Sequence, residues 1–563
     1  MALDLGAADT TADDTSDAAG PRAATGAGPR LASGAARVLT PDRLRWLLPL
    51  VVMAFAACLR VAYLPHPERI YFDETYYATN AAQLLAHGVE AELRVENDPT
   101  QGLDPVFVVH PPVGKWLIAA GIATFGDNSL GWRFSSAVAG TLFVAATYFI
   151  ALRLFRRRGV AALTAFLLSI EGLALTMSRI SMLDIFLALF VALGVWALLI
   201  DRDHRWALVA DIGNLPDDRP VDTSDDHSTI TGHGDPDRPA TDLPTSDGEA
   251  APTTAAPGRG VGMGLHRMPR MPRTYVWLAG LAFGLALATK WSALLAIAAA
   301  GLYLLCSELA WRRALTGTWW RQPWRLVGLG VGALLVVPVV VYVVSYASWF
   351  ANYEDTRPGA AACEDDSCDA GPVDIARGWA DEQQDIFRFH RDLEVTHDYR
   401  APAIWWPLTR RPVVYYYEAC LDSREQGATC DVPPGTLEEI IGLGNPAIWW
   451  TALAVYPFLL HAAFRRRDRV AATIVVFLLG QYVPWLGPSR PLFFFYALPM
   501  VPFVVLTLAW AATRLLPRRG VRWVPISVAS AALVAFVWWA PVYYGMQISE
   551  SAWRMRMWFN SWI

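Results

Sequence analysis

Eleven apolar runs, most of them near the ~20 residues that a helix needs to cross a bilayer, constrain this chain more than any other feature. They lie at residues 46–63, 129–155, 160–177, 182–200, 275–288, 292–311, 326–346, 445–464, 470–485, 491–516 and 524–540. Hydrophobic residues make up 54% of the chain and charged residues 18%. This composition excludes a soluble globular enzyme, a disordered protein and a collagen-like fibre. We therefore predict an all-α polytopic membrane protein with about 11 transmembrane helices.

Clusters of arginine indicate which end of each run faces the cytoplasm, because cytoplasmic loops carry an excess of Lys and Arg. With the N-terminus inside, the clusters after the second, fourth, sixth, eighth and tenth runs all fall at cytoplasmic ends. Lys290 separates the fifth run from the sixth, and merging these two runs would reverse the side of every later cluster. The loops at 64–128 and 347–443, together with the C-terminus, are then extracytoplasmic.

Two polar segments, at residues 1–42 and 203–273, lack any apolar period. Both are rich in Asp, Gly and Thr, and the second is also rich in Pro. Segments of this kind cannot bury enough apolar surface to fold, so we predict a disordered cytoplasmic tail and a disordered cytoplasmic linker without a catalytic role. The remaining modules are 43–202, which contains the first outer loop, then 274–346 and 444–563.

The second outer loop concentrates cysteine. Four of the six cysteines of the chain, Cys363, Cys368, Cys420 and Cys430, lie in it. Disulfides persist in oxidising compartments, so this placement favours two bridges. The local pairing joins Cys363 to Cys368 and Cys420 to Cys430, while other pairings or free thiols remain open. The spacing does not contain the paired C-x₂-C pattern that is typical of a zinc site.

The topology also brings a set of ionisable residues to the extracytoplasmic face. They are Asp73, Glu74, His110, Lys115, Arg133, Arg179, Asp184, Lys290 and Arg490. Ionisable groups near a bilayer are costly and tend to be functional, so their convergence predicts a single site. Structural explanations stay open for several of them. The two adjacent acids could begin a helix, Arg179 could pair with Asp184 across a turn, and Lys290 and Arg490 could snorkel to the interface.

These residues fit one class of chemistry. The sequence contains no dinucleotide, zinc-protease or nucleophile-elbow motif. A carboxylate among aromatic side chains can deprotonate a hydroxyl, and cations can stabilise a departing phosphate. Because nucleotide sugars are cytosolic, an outer site implies a sugar donor carried by a lipid phosphate. A divalent metal held by Asp73, Glu74 and His110 is an alternative.

Several longer strings carry a family resemblance. They are FDE at Asp73 after Arg60, HPPVGKWLI from His110, WRFSS around Arg133, SRISMLDIFLAL from Ser178, TKWS around Lys290, HDYRAPAIWWPLTRRPVVYYY from His397, and SRPLFFFYALP from Ser489. In this order, from about residue 45 to 540, the chain resembles the protein O-mannosyltransferases of glycosyltransferase family 39, especially their actinobacterial form. The second outer loop is too short for the lectin-like domain of eukaryotic members.

The resemblance implies a GT-C fold and an inverting reaction in which mannose passes from polyprenyl-phosphate mannose to Ser or Thr hydroxyls of exported polypeptides. The site would lie outside the cell membrane and need no cofactor or metal. The donor, the polypeptide acceptor and membrane lipid are the implied partners, the protein export machinery is a further candidate, and nucleic acid is not expected.

The resemblance also suggests residue roles. Asp73 matches the family's catalytic acid and would be the base, with Glu74 assisting substrate placement. Candidates for donor-phosphate or substrate binding are Arg60, His110, Lys115, Arg133, Arg179, Asp184, Lys290 and Arg490; contact with the phosphate itself falls to Arg133, Arg179 or Arg490. The residues His397, Trp405 and Trp406 match an acceptor loop.

Two other functions compete with this one. A related glycosyltransferase could use the same kind of donor with a glycolipid or cell-wall glycan acceptor, and the sequence separates the two poorly. A transporter or flippase would predict inverted repeats and polar groups near the bilayer midplane. No such repeat is evident in the sequence, and the polar groups cluster at one membrane face.

Overall fold

The computed structural model describes residues 41–94, 103–213, 271–320, 322–363, 370–394, 396–420 and 431–563. The chain divides into a unit of residues 1–47, described only from residue 41, where a helix begins, and a unit of residues 48–563. Everything discussed below lies in the second unit. Most of the predicted tail and linker falls outside the described residues. The described part of the linker differs from the prediction, because residues 203–213 continue a helix.

Helices dominate the described residues. The α-helices α1 to α19 are, in chain order, Pro41–Val61, Glu74–His87, Val113–Phe125, Ser129–Phe155, Arg158–Ser169, Gly172–Met177, Asp184–Gly213, Thr274–Leu287, Ala293–Thr316, Pro323–Val331, Val337–Ser345, Ala347–Ala351, Arg357–Ala362, Pro372–Asp392, Pro446–Phe464, Arg469–Tyr482, Val501–Leu515, Trp523–Tyr544 and Glu550–Arg556. A π-helical turn, Gly332–Val336, joins α10 to α11. The 3₁₀ helices Ala403–Leu408 and Phe494–Met500 are important for the site.

Eight described helices are long and apolar enough to cross a membrane. They are Ser129–Phe155, Asp184–Asp211, Ala293–Thr316, Pro323–Ser345, Pro446–Phe464, Arg469–Leu486, Phe494–Leu515 and Trp523–Tyr544. Each coincides with one of the predicted runs, and the other three runs coincide with the shorter apolar helices Trp46–Val61, Arg158–Ser169 and Thr274–Leu287. A polytopic helical membrane protein is therefore confirmed. The total of 11 spans and their orientation stay predictions.

The third predicted run is broken into α5 and α6 by a buried acid. One carboxylate oxygen of Glu171 accepts from the backbone N–H of Ala174, 2.7 Å away, and so begins α6. The other oxygen accepts from the backbone N–H of Asn445 at 3.1 Å and from the indole of Trp449 at 3.0 Å. A buried carboxylate needs such partners, so the break in the helix is also the point at which α15 is fastened to it.

The helices differ in how much protein surrounds them. Helix α7 and the segment Phe494–Leu515 are almost entirely enclosed, whereas α18 and the segment Pro323–Ser345 leave most of their apolar surface uncovered. Uncovered apolar surface on a membrane helix is suited to contact with lipid. The central position of α7 and Phe494–Leu515 makes them the frame on which the site residues are held.

Short strands lie in the two outer loops. Strands β1, Ala91–Leu93, and β2, Leu103–Pro105, form an antiparallel pair in the first loop. In the second loop β3, Val414–Cys420, pairs antiparallel with β4, Thr436–Ile441, and β4 pairs with β5, Ile548–Ser549.

Disulfide bonds are present in the second loop. Cys363 and Cys420 are each disulfide-bonded. Cys368 and Cys430 lie outside the described residues, so the predicted pairing stays a prediction. Cys58 and Cys306, which lie in apolar runs, are free thiols.

Candidate active site

Asp73 lies immediately before α2 and is held there by an unusual turn. Phe72 adopts the left-handed region at φ +53°, which a non-glycine residue adopts only when its surroundings enforce it. The Asp73 carboxylate accepts no hydrogen bond from any described residue. Burial raises the pKa of this carboxyl from 3.8 to about 6, and Asp184 adds to the rise while Lys290 opposes it. Asp73 is therefore an unpaired carboxylate poised to accept a proton near neutral pH.

Glu74, the next residue, is in the opposite situation. Its oxygens accept from Nε and Nη2 of Arg133, each at 2.9 Å, and both side chains are fully buried. The backbone N–H of Ser181 donates to the first oxygen at 3.0 Å. A two-point pair of this kind is a strong and specific contact. Glu74 thus has no oxygen free for a substrate, contrary to the predicted role in substrate placement.

Arg133 uses its remaining donors on the backbone before α2. Its Nη1 donates to the carbonyl oxygens of Pro65, at 3.1 Å, and Pro67, at 2.8 Å, and its Nη2 donates to that of Arg69 at 2.8 Å. These bonds attach the turn that leads to Asp73 to helix α4. Because its donors are occupied by protein, Arg133 acts as a positioning residue, and the prediction of a phosphate contact is not supported.

Arg179 binds the end of the first helix instead of Asp184. Its Nη1 donates to the carbonyl of Arg60 at 2.8 Å, its Nη2 to that of Tyr63 at 3.0 Å, and its guanidinium lies 4.3 Å from the ring centre of Tyr544. Cations at a helix C-terminus satisfy carbonyls that have no partner within the helix. Pairing of Arg179 with Asp184, one of the structural explanations that the sequence left open, is therefore not observed, and a role in phosphate contact is not supported.

Arg60 is buried beside the same turn. Its Nε donates to Ser178 Oγ at 3.2 Å. A Cβ on Gly140 would lie 2.1 Å from that Oγ, so only glycine allows α4 to approach so closely. No contact joins Arg60 to Asp73, and we interpret Arg60 as part of the support of the site.

Asp184 and Lys290 form the central ion pair. The Lys290 Nζ donates to both Asp184 oxygens, at 3.0 and 2.9 Å. The same Nζ lies 4.7 Å from the ring centre of Tyr496. The pair joins the start of α7 to the turn after α8. Both charges act on the pKa of Asp73, which Lys290 lowers and Asp184 raises.

His110 and His390 stack on each other, with ring centres 5.2 Å apart. Burial lowers the pKa of His110 well below 6.5, and the positive charge of Lys290 lowers it further. His110 is therefore neutral at physiological pH and does not supply charge to a phosphate. The ring centre of Tyr77 lies 6.0 Å from that of His110, and the convergence of His110 with the other charged groups stays a prediction.

Arg490 forms no ion pair with a carboxylate of the described residues, and unlike Arg133 and Arg179 it does not spend its donors on backbone carbonyls there. Its Nη1 lies 3.4 Å from His390 Nδ1, and its guanidinium lies 5.8 Å from the ring centre of Tyr496. Lys115, by contrast, is buried and neutralised by Glu90, and its Nζ also donates to the carbonyl of His110 at 2.9 Å. Lys115 therefore positions His110, whereas Arg490 can receive an anion.

The predicted acceptor loop is the 3₁₀ helix Ala403–Leu408 with its flanks. Trp406 is buried, and its Nε1 donates to the carbonyl of Ala401 at 2.8 Å. Trp405 is partly exposed and stacks under Arg410, whose guanidinium is 4.3 Å from the ring centre. His397 is exposed and accepts from the backbone N–H of Tyr399 at 3.2 Å.

Two cavities adjoin this loop. The first, which we call the apolar groove, has a volume of about 1040 Å³ and is lined by Ile404, Trp406, Pro407 and Leu408 from the loop and by residues of α15, α16 and α17 that include Tyr456, Leu460, Leu479 and Val504. The second, which we call the arginine pocket, has a volume of about 640 Å³ and includes Arg400, Ile404, Trp485, Ser489 and Arg490. Ile404 lines both cavities. A cation-lined pocket next to an apolar groove suits a lipid with an anionic head.

Sequence reasoning missed Arg400 as a site residue. It lies within the string HDYR, three residues after His397, so the motif that carried the resemblance already contained it. Ser181 and Tyr496 were missed as well, although the strings from Ser178 and Ser489 contain them, and Glu90 was missed because it lies in no such string.

The three residues considered as ligands of a divalent metal do not form a binding site. Arg133 occupies both Glu74 oxygens, so Asp73, Glu74 and His110 do not converge on one point. Within the described ranges, no group of three or more His, Cys, Asp and Glu side chains could hold a metal ion.

Comparisons with known proteins agree with the motifs. The family described as "C-terminal four TMM region of protein-O-mannosyltransferase" matches residues 375–562, and "dolichyl-phosphate-mannose-protein mannosyltransferase" matches residues 109–210. A polyprenol-phosphate-mannose–protein mannosyltransferase of Mycolicibacterium smegmatis strain MKD8 is 30% identical over 92% of this chain and 93% of its own length. A protein of the same description from Mycobacterium tuberculosis strain CDC 1551 is 30% identical over 87% of this chain and 86% of its own.

A solved structure shares the fold. A chain of the S. cerevisiae protein O-mannosyltransferase Pmt1–Pmt2 complex, bound to the sugar donor, matches with a TM-score of 0.66 over 93% of both chains. Sequence identity to it is 13%, so this likeness supports the arrangement of the helices and not the role of any residue.

Proposed function

Since this chain belongs to the polyprenol-phosphate-mannose–protein mannosyltransferases, we propose that it transfers mannose from polyprenyl-phosphate mannose to Ser or Thr hydroxyls of exported polypeptides. Membership confirms the family that the motifs indicate and makes the protein a multi-pass membrane enzyme. The proposal further places the reaction at the extracytoplasmic face, with inversion at the anomeric carbon. Assistance from the export machinery stays a prediction.

The observation that carries the proposal is the unpaired Asp73 carboxylate. The charges of the Lys290–Asp184 pair act on this carboxyl, and both Lys290 and Arg490 lie near the ring of Tyr496. A base and an anion holder are the two parts that the reaction needs.

In the proposed step Asp73 accepts the proton of the acceptor hydroxyl. The hydroxyl oxygen forms the new bond to the anomeric carbon of mannose, on the face opposite the phosphate. The bond from that carbon to the phosphate oxygen breaks, and its electron pair leaves with polyprenyl phosphate. Arg490 stabilises the charge that develops on the phosphate, so no strong acid is required.

The donor is proposed to lie across the two cavities. Its phosphate would occupy the arginine pocket between Arg490 and Arg400, and its polyprenyl tail would enter the apolar groove. The groove is bounded by three helices with membrane-spanning character, α15, α16 and α17, so a lipid could enter from the bilayer. This assignment narrows the predicted phosphate ligands to Arg490 and adds Arg400, which is exposed and close to it.

The test is a transfer assay with labelled polyprenyl-phosphate mannose and a Ser/Thr-containing peptide. We expect the wild type to label the peptide and Asp73→Asn to lose about 10²-fold or more, the usual contribution of a positioned general base. Asp392→Asn, the same chemical change at an exposed residue of α14, should keep full activity. Full activity in Asp73→Asn would refute the base, and labelling of glycolipid without peptide would favour the other acceptor class.

A further inference from the structure

The segment after α18 folds back onto the loop that lines the apolar groove. The indole Nε1 of Trp562 donates to the carbonyl of Thr409 at 2.9 Å. Ser561 Oγ donates to the carbonyl of Arg410 at 2.7 Å, and Arg411 returns a bond from its Nη1 to the carbonyl of Ser561 at 2.8 Å. We call residues 558–562 the C-terminal clamp.

The clamp is itself firmly anchored. The Trp562 side chain is buried, with its ring centre 5.2 Å from that of Phe559, 5.8 Å from Trp539 and 6.2 Å from Trp558. The indole of Trp539, on α18, also donates to the carbonyl of Arg556 at 3.0 Å. Aromatic clusters of this kind bury large rigid surfaces. The clamp therefore fixes the loop relative to α18.

The clamp acts on the most strained residue of the loop. Thr409 ends the 3₁₀ helix Ala403–Leu408 in the left-handed region, at φ 51° and ψ 36°. This conformation is a genuine outlier for a β-branched residue, and it persists only where surrounding contacts over-determine it. The Thr409 hydroxyl is buried without a hydrogen-bond partner, so the hydroxyl does not hold the turn. The turn is held by the backbone bond from the Thr409 N–H to the Trp406 carbonyl at 2.9 Å and, from outside the loop, by the bond from Trp562 to the Thr409 carbonyl.

We propose that Trp562 is a positioning residue for the lipid-linked donor. By holding Thr409 it fixes the preceding residues, Trp406, Pro407 and Leu408, as one wall of the apolar groove. Nothing places Trp562 in contact with Asp73 or with either arginine of the pocket, so it acts on donor binding and not on the transfer step. The inference rests on the proposed function, because it takes the groove as the place of the donor tail.

Trp562→Phe is the informative variant, since it keeps an aromatic ring at this buried position while it removes the indole N–H together with the second ring of the indole. We expect the KM for polyprenyl-phosphate mannose to rise about fivefold, the effect of one neutral hydrogen bond worth about 1 kcal/mol. We expect kcat and the KM for the peptide to stay within about twofold. Trp523→Phe is the matched control, because Trp523 lies at the other end of α18 and its Nε1 donates to the carbonyl of Gly520 at 3.0 Å.

A measurement of lipid binding that involves no transfer reaction tests the same proposal independently of the kinetics. The rise in melting temperature caused by polyprenyl phosphate should be smaller for Trp562→Phe than for the wild type or Trp523→Phe. If Trp562→Phe does not fold, Ser561→Ala removes a neighbouring clamp bond from an accessible residue and should raise the donor KM in the same direction by a smaller factor.

Three results would overturn the proposed role of Trp562. They are an unchanged donor KM in Trp562→Phe, a fall in its kcat instead, or an equal change in Trp523→Phe. These results are distinct from failure of the proposed function. If the wild type labels no peptide, the function fails; if it labels peptide while the clamp variants behave as wild type, the clamp alone fails.

Discussion

Lys290 donates to both oxygens of Asp184, and the two charges of this pair act in opposite directions on the pKa of Asp73, whose carboxylate has no partner of its own among the described residues. The arrangement gives the site one acid that is neutralised by a cation and one that remains available. Separate environments for two nearby acids are a common way to divide chemical roles. The pH dependence of the reaction should therefore report on Asp73.

We expect transfer by the wild type to fall at acidic pH with an apparent pKa of about 6. The reason is that burial raises the pKa of Asp73, and only the deprotonated form, which predominates above this pKa, can accept a proton. The measurement is kcat/KM of the peptide between pH 4.5 and 8, a range chosen around this value. A profile that stays flat through pH 6 would contradict the assignment.

Asp184→Asn should move the acidic limb of the pH profile, the fall in kcat/KM below about pH 6, to lower pH. The Asp184 charge raises the pKa of Asp73 and the Lys290 charge lowers it. Of these two charge effects, removal of the Asp184 charge leaves only the lowering by Lys290. The test compares the limb of Asp184→Asn with that of Asp392→Asn, which should match the wild type. An upward shift in Asp184→Asn would show that the two carboxyls do not interact as the geometry requires.

Two arginine variants should distinguish a residue that stabilises the phosphate from one that stabilises the fold. They are Arg490→Gln and Arg133→Met. Loss of an anion-stabilising group typically lowers kcat by about 10²–10³-fold, so we expect such a loss in Arg490→Gln with little change in melting temperature. Arg133→Met leaves Glu74 buried without its partner, a change that costs about 3–5 kcal/mol of stability. Thermal unfolding of both purified variants measures this, and a strongly destabilised Arg490→Gln with a stable Arg133→Met would reverse the two roles.

Leu479→Trp should fill part of the apolar groove, because Leu479 on α16 lines it. Overpacking of an apolar cavity commonly costs about 1–3 kcal/mol, which corresponds to a rise in KM of about tenfold for a donor with a full-length tail. A donor with a short tail should be used almost as well as by the wild type. Val537→Trp, on the exposed surface of α18, is the control, and an equal loss for both donors would argue against the groove as the tail site.

Much of the architecture could be read from local patterns. Apolar runs of sufficient length predict spans because a helix in lipid must satisfy its own backbone, and all eight long apolar helices were anticipated in this way. The break in the third run was not anticipated, because it depends on a contact between Glu171 and Asn445, which lies 274 positions away in the sequence. A local pattern contains no information about such a partner.

The sequence by itself determined the helical membrane class and, through its motifs, the family, and it predicts the two outer loops and the charged residues of the site. Only the tertiary structure decided which of these charges are neutralised. Glu74 pairs with Arg133 across 59 positions, and Lys290 pairs with Asp184 across 106. Asp73, adjacent to Glu74 in the chain, receives no such partner from the part of the chain that the structure describes. The reason is physical: the chemistry of a buried charge depends on what surrounds it in space, and neighbours in sequence can face entirely different surroundings.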